Sequence, residues 1–409
     1  MDNPSNTLIR EQLAASSARS APEALAHDDT FWTRVAAEFA KPADFVHLEY
    51  GFYHPVCRAV FEAEVAAMRQ SQICAAHYKR NEMRADYEAA RAELAQLVGA
   101  APEEVAITRN ASESMNIIIR GIPLAPGDEV VGAELDYGSM VEAWEQRVRQ
   151  EGIALRAVEL PFDPRSDDEI VQCFAAAITP RTRVLYITHL VHFTGHLLPV
   201  RRLCQLGRER GLLVVVDAAH SFAQVPFTPA EIDCDFLGAS LHKWLAAPLG
   251  LGMLYVRRDR IAGLHPLFGD ARLPAGDIRR LEHFGNRPDS AHIGLREAIR
   301  WHGAMGGAAV KRARLLALQR RWMEAARALP RLRLLTPRDP ARHGSLGTFA
   351  VDGLAPAAVA ERLMREHRIY VNVIQGPRVA GVRVTPGLAT TFAEIDQLVA
   401  ALEALNRTP

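Results

Sequence analysis

Between about residue 100 and residue 260, short β-branched runs alternate with longer helical patterns, and that alternation confines the chain to few folds. Seven runs read as strands, at 105–107, 129–132, 154–158, 183–188, 212–216, 235–239 and 252–256. Helical stretches at 112–122, 139–150, 168–177 and 200–210 separate them, the last stopped by Gly211. Strands joined through helices pair in parallel, so the expectation is an α/β fold with a seven-stranded, mainly parallel sheet between helices.

At 409 residues the chain exceeds what one core usually organises. Residues 1–44 read as a tail and helix, 45–308 as a large domain, and 309–409 as a linking helix with a small α+β domain. Tyr87, Ala90, Leu94 and Leu97 recur at helical spacing and predict an amphipathic helix over 85–98. A long Arg/Ala/Leu-rich helix at 309–329 leads into strands at 333–335, 348–351, 369–372 and 382–385 and helices at 356–366 and 392–405. Pro356 suits a first helical position, where its missing N–H costs nothing.

Charge excludes some functions. Lys plus Arg and Asp plus Glu both number 48, which leaves no net field to draw the chain to nucleic acid or an anionic membrane. The first thirty or so residues lack a secretory apolar stretch, and no run approaches a membrane span of roughly 20 residues. Five scattered cysteines form no C-x-x-C pair, which fits reduced thiols in a cytoplasmic protein acting on small molecules.

Two residues carry the chemistry. Asp217 ends the apolar run 212–216, and Lys243 follows the next strand 26 positions later (243 − 217). A carboxylate at a strand end and a lysine past the next strand suit pyridoxal 5′-phosphate (PLP): the acid keeps the pyridine nitrogen protonated and the amine forms the Schiff base. Asp217 could instead cap a helix, and Lys243 could be a surface residue. Its neighbours Leu241, Trp244, Leu245 and Ala246 favour a desolvated, nucleophilic amine. Ser240 and His242 flank it as phosphate donors. After strand 105–107, free N–H groups at Ala111, Ser112 and Glu113 predict an anion seat at a helix N-terminus, unless Asn110 or Ser112 merely caps it.

The segment 217–256, which opens DAAHSFAQ and continues through ASLHKWLAAPLGLGMLYV, resembles the class V aminotransferases among fold-type I PLP enzymes, and the resemblance runs from roughly 45 to 405. It implies that Lys243 carries the cofactor, that Asp217 pairs with the pyridine nitrogen, and that His220 lies near O3′. It also implies that Tyr137 stacks on the ring; desulfurases usually place a histidine there, and isopenicillin N epimerase-like members a tyrosine. Val382-Arg383-Val384-Thr385 looks like the family's Arg-[IV]-Ser strand, whose arginine clamps a substrate carboxylate, a task suited to a planar fork. Phe284 to Asp289 resembles a turn that reaches across a dimer interface, and Asn286 would donate to the neighbour's phosphate. The resemblance therefore implies a homodimer with shared active sites. Tyr53 and His54 occupy the place where relatives line the substrate entrance.

Departures from the family narrow the reading. Desulfurases bring a nucleophilic cysteine on a mobile loop shortly before the arginine strand, and the stretch 367–381 contains none. His192 replaces the usual Asn or Thr, as a cofactor hydrogen-bond partner or as an additional acid or base. His189, His192 and His196 invite a metal site, but on an extended strand His189 and His192 face opposite sides, so no metal is expected. The expected function is an isopenicillin N epimerase-like enzyme acting at Cα of an amino acid or its derivative, with Lys243 as base and His192 or Tyr53 as second acid. β-Elimination (a C–S lyase) and transamination are the alternatives. A cofactor-bound regulator is the remote one, since the N-terminus is too short and too neutral for a DNA-binding module.

Overall fold

The computed structural model describes residues 4–269, 272–283, 285, 287–288 and 290–407. All seven expected strands form one sheet: β1 (Val105–Thr108), β2 (Glu129–Ala133), β3 (Ala154–Val158), β4 (Thr182–Thr188), β5 (Leu213–Asp217), β6 (Phe236–Ser240) and β7 (Gly252–Val256). Their order is β1-β7-β6-β5-β4-β2-β3. Only β7 runs antiparallel to its neighbours, pairing Ile107 with Met253 and Gly238 with Leu254. The central strands read as unbroken apolar runs because both faces are covered.

Alternate residues of each strand serve opposite faces. On one face Val130, Val184, Val215 and Leu254 meet Met115, Ile118 and Trp144 of the helices Ala111–Gly121 and Gly138–Glu151. On the other, Val131, Leu185, Val214 and Leu237 meet Leu94, Phe174 and Leu203 of the helices Met83–Val98, Asp167–Ala177 and Val200–Glu209. Gly211, just past the last of these, takes the left-handed backbone its position demands (φ +67°).

A second sheet is built from β8 (Leu332–Leu334), β9 (Gly347–Val351), β10 (Asn372–Gln375) and β11 (Ala380–Val384), in the order β10-β11-β9-β8. It packs on the helices Gly307–Arg327, Pro356–His367 and Phe392–Arg407 through Trp322, Leu363, Leu398 and Leu402. The single strand expected at 369–372 divides. Ile369–Tyr370 pairs in parallel with Val46–His47, while Asn372 onward joins β11. Sequence patterning also missed two long helices, Arg58–Asn81 and Ser290–Ala304, which pack on each other.

The turn at 190–197 is stitched to the small sheet. Thr348 Oγ1 donates to the Phe193 carbonyl at 2.6 Å, Gly344 N–H to the Gly195 carbonyl at 3.0 Å, and Leu197 N–H to the Arg342 carbonyl at 2.9 Å. Gly195 is required here: its φ is +70°, and a Cβ would lie 1.8 Å from the Leu346 carbonyl oxygen.

Helix Gly307–Arg327 carries a fully buried lysine, Lys311, whose amine donates to the Trp244 carbonyl at 2.8 Å and so pins the loop after β6. Burial lowers its pKa to about 7, with the Cys57 thiol opposing that shift. The folded-state value lies below that of a free lysine. The unfolded chain therefore holds the extra proton between the two values, and this residue's contribution to stability rises with pH through that window. Lys311→Met removes the titration. We expect the Tm difference, variant minus wild type, to fall as pH rises from about 7 to about 10; a pH-independent difference in calorimetric scans contradicts the buried-amine account.

Candidate active site

The strand ends of the large sheet converge on one cleft, as doubly wound sheets require. Asp217, the last residue of β5, is buried; its Oδ1 accepts the Ala219 N–H at 2.9 Å and its Oδ2 the Tyr186 hydroxyl at 3.2 Å. Desolvation raises its pKa, while the backbone bond and the charge of Lys243 pull it back. Such a carboxylate is stabilised by any cation placed against it.

Lys243 sits on a tightly held loop. Leu241 N–H donates to the Leu251 carbonyl, Ala246 N–H to the Lys243 carbonyl and His54 N–H to the His242 carbonyl, each at 3.1 Å. Ala246 adopts φ +56°, a conformation alanine takes only where its surroundings enforce it. The Lys243 amine lies 2.9 Å from His220 Nε2. Burial brings its pKa from 10.5 to about 8, with Asp217 and Glu49 raising it and Arg383 lowering it. Roughly one amine in ten is then free at pH 7, against fewer than roughly one in a thousand for an exposed lysine.

Three histidines surround this amine, and burial holds all of them neutral. His192 is pushed down to about 3 and His242 to about 4, while His220 falls well below the ordinary value; the Lys243 charge adds to each shift. The rings of His192 and His220 stack at 6.4 Å and 13°, and His192 meets Tyr137 edge-on at 5.2 Å. Tyr137, just before helix Gly138–Glu151, is 44% exposed. The Nδ1 atoms of His192, His220 and His242 are buried without partners among the described residues. Buried polar atoms demand partners, so this cleft is built around a polar guest.

The anion seat is narrower than the sequence suggests. Asn110 Oδ1 caps Glu113 N–H at 2.9 Å, and Ala111 N–H donates to Ser240 Oγ at 3.0 Å. Ser112 N–H, the hydroxyls of Ser112 and Ser240 and the His242 ring remain for a phosphate. Asn286 lies outside the described residues.

The other expected site residues fall differently. His54 is sealed in the core: Nδ1 donates to the Pro55 carbonyl at 2.8 Å and Nε2 accepts Leu388 N–H at 3.0 Å, so it braces the backbone and offers nothing to a substrate. Tyr53 is half-buried, and burial together with the nearby Glu64 carboxylate raises its pKa; among the described residues it makes no bond to Lys243 or Asp217. Burial holds His192 in its neutral form in this cleft.

Arg383 is in the cleft but engaged. Its Nη2 and Nε bind Glu49 at 2.5 and 3.3 Å, and its Nη1 donates to the His192 carbonyl at 3.0 Å. Sequence reasoning missed Glu49, which is separated from Arg383 by 334 positions. It also missed Asp136, buried behind Asp217. Asp136 accepts the Thr188 hydroxyl at 2.6 Å and the Ala133 N–H at 2.7 Å, and burial raises its pKa to about 7.

A strand-end acid, a desolvated lysine and unpartnered donors around them fit a phosphorylated pyridine, and they define a PLP-dependent enzyme. The family model for class V aminotransferases matches residues 56–398, and the chain belongs to that family. Isopenicillin N epimerase of Streptomyces clavuligerus is 30% identical over 92% of this chain and 98% of its own. A probable cysteine desulfurase of Mycobacterium leprae (strain TN) is 29% identical over 81% of this chain and 84% of its own. In structure, a cystine C–S lyase in complex with its product cysteine persulfide superposes with a TM-score of 0.79 at 22% identity, covering 88% of this chain and 97% of that one, which speaks for the fold. Among the described residues, no helix is long and apolar enough to cross a membrane.

With the amine near 8, the rate at which Lys243 captures added PLP should climb through neutrality and level off above about pH 8, not near 10.5. Stopped-flow absorbance on apoprotein measures this, and Lys243→Ala should lose the borohydride-trappable colour. A variant that keeps it identifies another lysine.

Proposed function

We propose that the protein moves a proton at Cα of an amino acid or amino-acid-derived metabolite, in the manner of the isopenicillin N epimerases it resembles. The observation that carries this reading is the buried Lys243 amine, 2.9 Å from His220 Nε2 and near enough to Asp217 and Arg383 for both charges to act on it. PLP, when bound, supplies an electron sink that lowers the cost of negative charge at Cα. Asp217 would hold the pyridine nitrogen protonated, Tyr137 would lie against the ring, and Ser112 and Ser240 would bind the phosphate. Arg383 meets the substrate carboxylate. The Lys243 amine, in its free-base form, would take the Cα proton.

Persulfide chemistry has no nucleophile at the expected place, since residues 367–381 contain no cysteine. β-Elimination is the second reading, and one observation favours it: His192, His220 and His242 are all held neutral, so Lys243 alone of these four titrates near working pH. Elimination needs one base, whereas epimerisation by two opposed groups needs a second acid. In deuterated water, epimerisation should place deuterium at Cα and yield both stereoisomers by chiral chromatography. Release of a 2-oxo acid and ammonia instead sinks the epimerase reading and establishes the lyase.

The same reading includes a homodimer. Phe52, Phe61 and Leu249 are 78%, 58% and 59% exposed on segments close to the Lys243 loop, and apolar side chains of that size at a surface favour a partner. Light scattering should give about twice the 45.1 kDa chain mass; a monomer at micromolar concentration removes the shared-site arrangement.

A further inference from the structure

The carboxylate that fills the fork of Arg383 comes from the chain itself. Glu49 follows the short strand Val46–His47 and lies beside Thr385. Its side chain and that of Arg383 are both 5% exposed, and Phe52 N–H fixes Oε1 at 3.0 Å. With Nη1 on the His192 carbonyl, three of the five guanidinium N–H groups are spent before a substrate arrives. Both charges act on Lys243, so the pair lies within electrostatic reach of the reacting centre.

An α-carboxylate docking on Arg383 must therefore compete with Glu49. If it wins, it leaves a buried anion without its cation and with only the Phe52 N–H as partner, which low-dielectric surroundings penalise heavily. A substrate that also brings a cation or strong hydrogen-bond donor removes that penalty: its carboxylate takes Arg383 and its donor takes Glu49, exchanging one pair for two. Charge complementarity of this kind rejects the wrong ligand as much as it attracts the right one.

We propose that Glu49 determines specificity, and that the site takes amino acids carrying a cationic or amine-like group in addition to the α-carboxylate, in preference to simple neutral ones. This rests on the reading of Arg383 as the carboxylate partner in a Cα-proton-transfer enzyme.

The test is a spectral titration of the cofactor in holoenzyme with L-lysine and its neutral near-isostere L-norleucine, which yields dissociation constants independent of turnover. Wild type should bind lysine at least about tenfold more tightly than norleucine. Glu49→Gln should bind norleucine more tightly than wild type does and lysine less tightly, bringing the two within roughly threefold. Glu49→Asp, which keeps the charge, should retain the preference for lysine. Equal affinities in wild type overturn the proposal and need no variant. Equal weakening of both ligands in Glu49→Gln, to the level of Arg383→Ala, also overturns it, since Glu49 then only orients the arginine. Cα deuterium exchange is followed on the same samples: exchange without a preference sinks the Glu49 inference alone, and no exchange with any amino acid sinks the reading beneath it.

Discussion

Withdrawal of one amine from water is the constraint on which the rest of the site depends. A lysine in solvent is a cation and a poor nucleophile, and only an environment that penalises its charge frees the lone pair. Here the environment is assembled from distant parts. Trp244 and Leu245 are buried behind the loop, Lys311 and His54 tie that loop to the long helix and the N-terminal segment, and Ala246 accepts a strained backbone so that the turn can close. The same desolvation acts on every titratable neighbour. It holds three histidines neutral and lifts Asp217 and Asp136, so the cleft carries fewer charges than its composition suggests.

How much of this was legible follows from the range of each signal. The seven strands of the large sheet could be read because each is buried on both faces and must be apolar throughout, a local property. Lys243 and Asp217 were readable for a related reason: a charged residue at the end of such a run is conspicuous. The helix Arg58–Asn81 escaped because its exposed stretches blur the periodicity, and few of its residues are buried. The strand expected at 369–372 divides because its two ends pair with different partners, a choice made in three dimensions.

Within the site, the sequence marks which residue types stand where, and it does not show which of them pair. Arg383 looks like a free clamp until Glu49 is seen against it. Ala111 looks like a phosphate donor until Ser240 Oγ accepts its N–H. His54 reads as a rim residue, yet both of its ring nitrogens are spent on backbone. No spacing rule carries such information where the partners are distant: Ser240 lies 129 positions from Ala111, Leu388 lies 334 from His54, and Arg383 lies 334 from Glu49.

The stitching of the 190–197 turn to the small sheet bears on how this scaffold can change over time. His192 is bonded through its carbonyl to Arg383 of β11, Phe193 through its carbonyl to Thr348 of β9, and Gly195 packs against the Leu346 carbonyl so closely that no side chain fits. The turn and the small sheet are thus clamped together at more than one point. A side chain at position 195 would push the turn bearing His192 away from the small sheet, so this one glycine limits how far the junction can be altered.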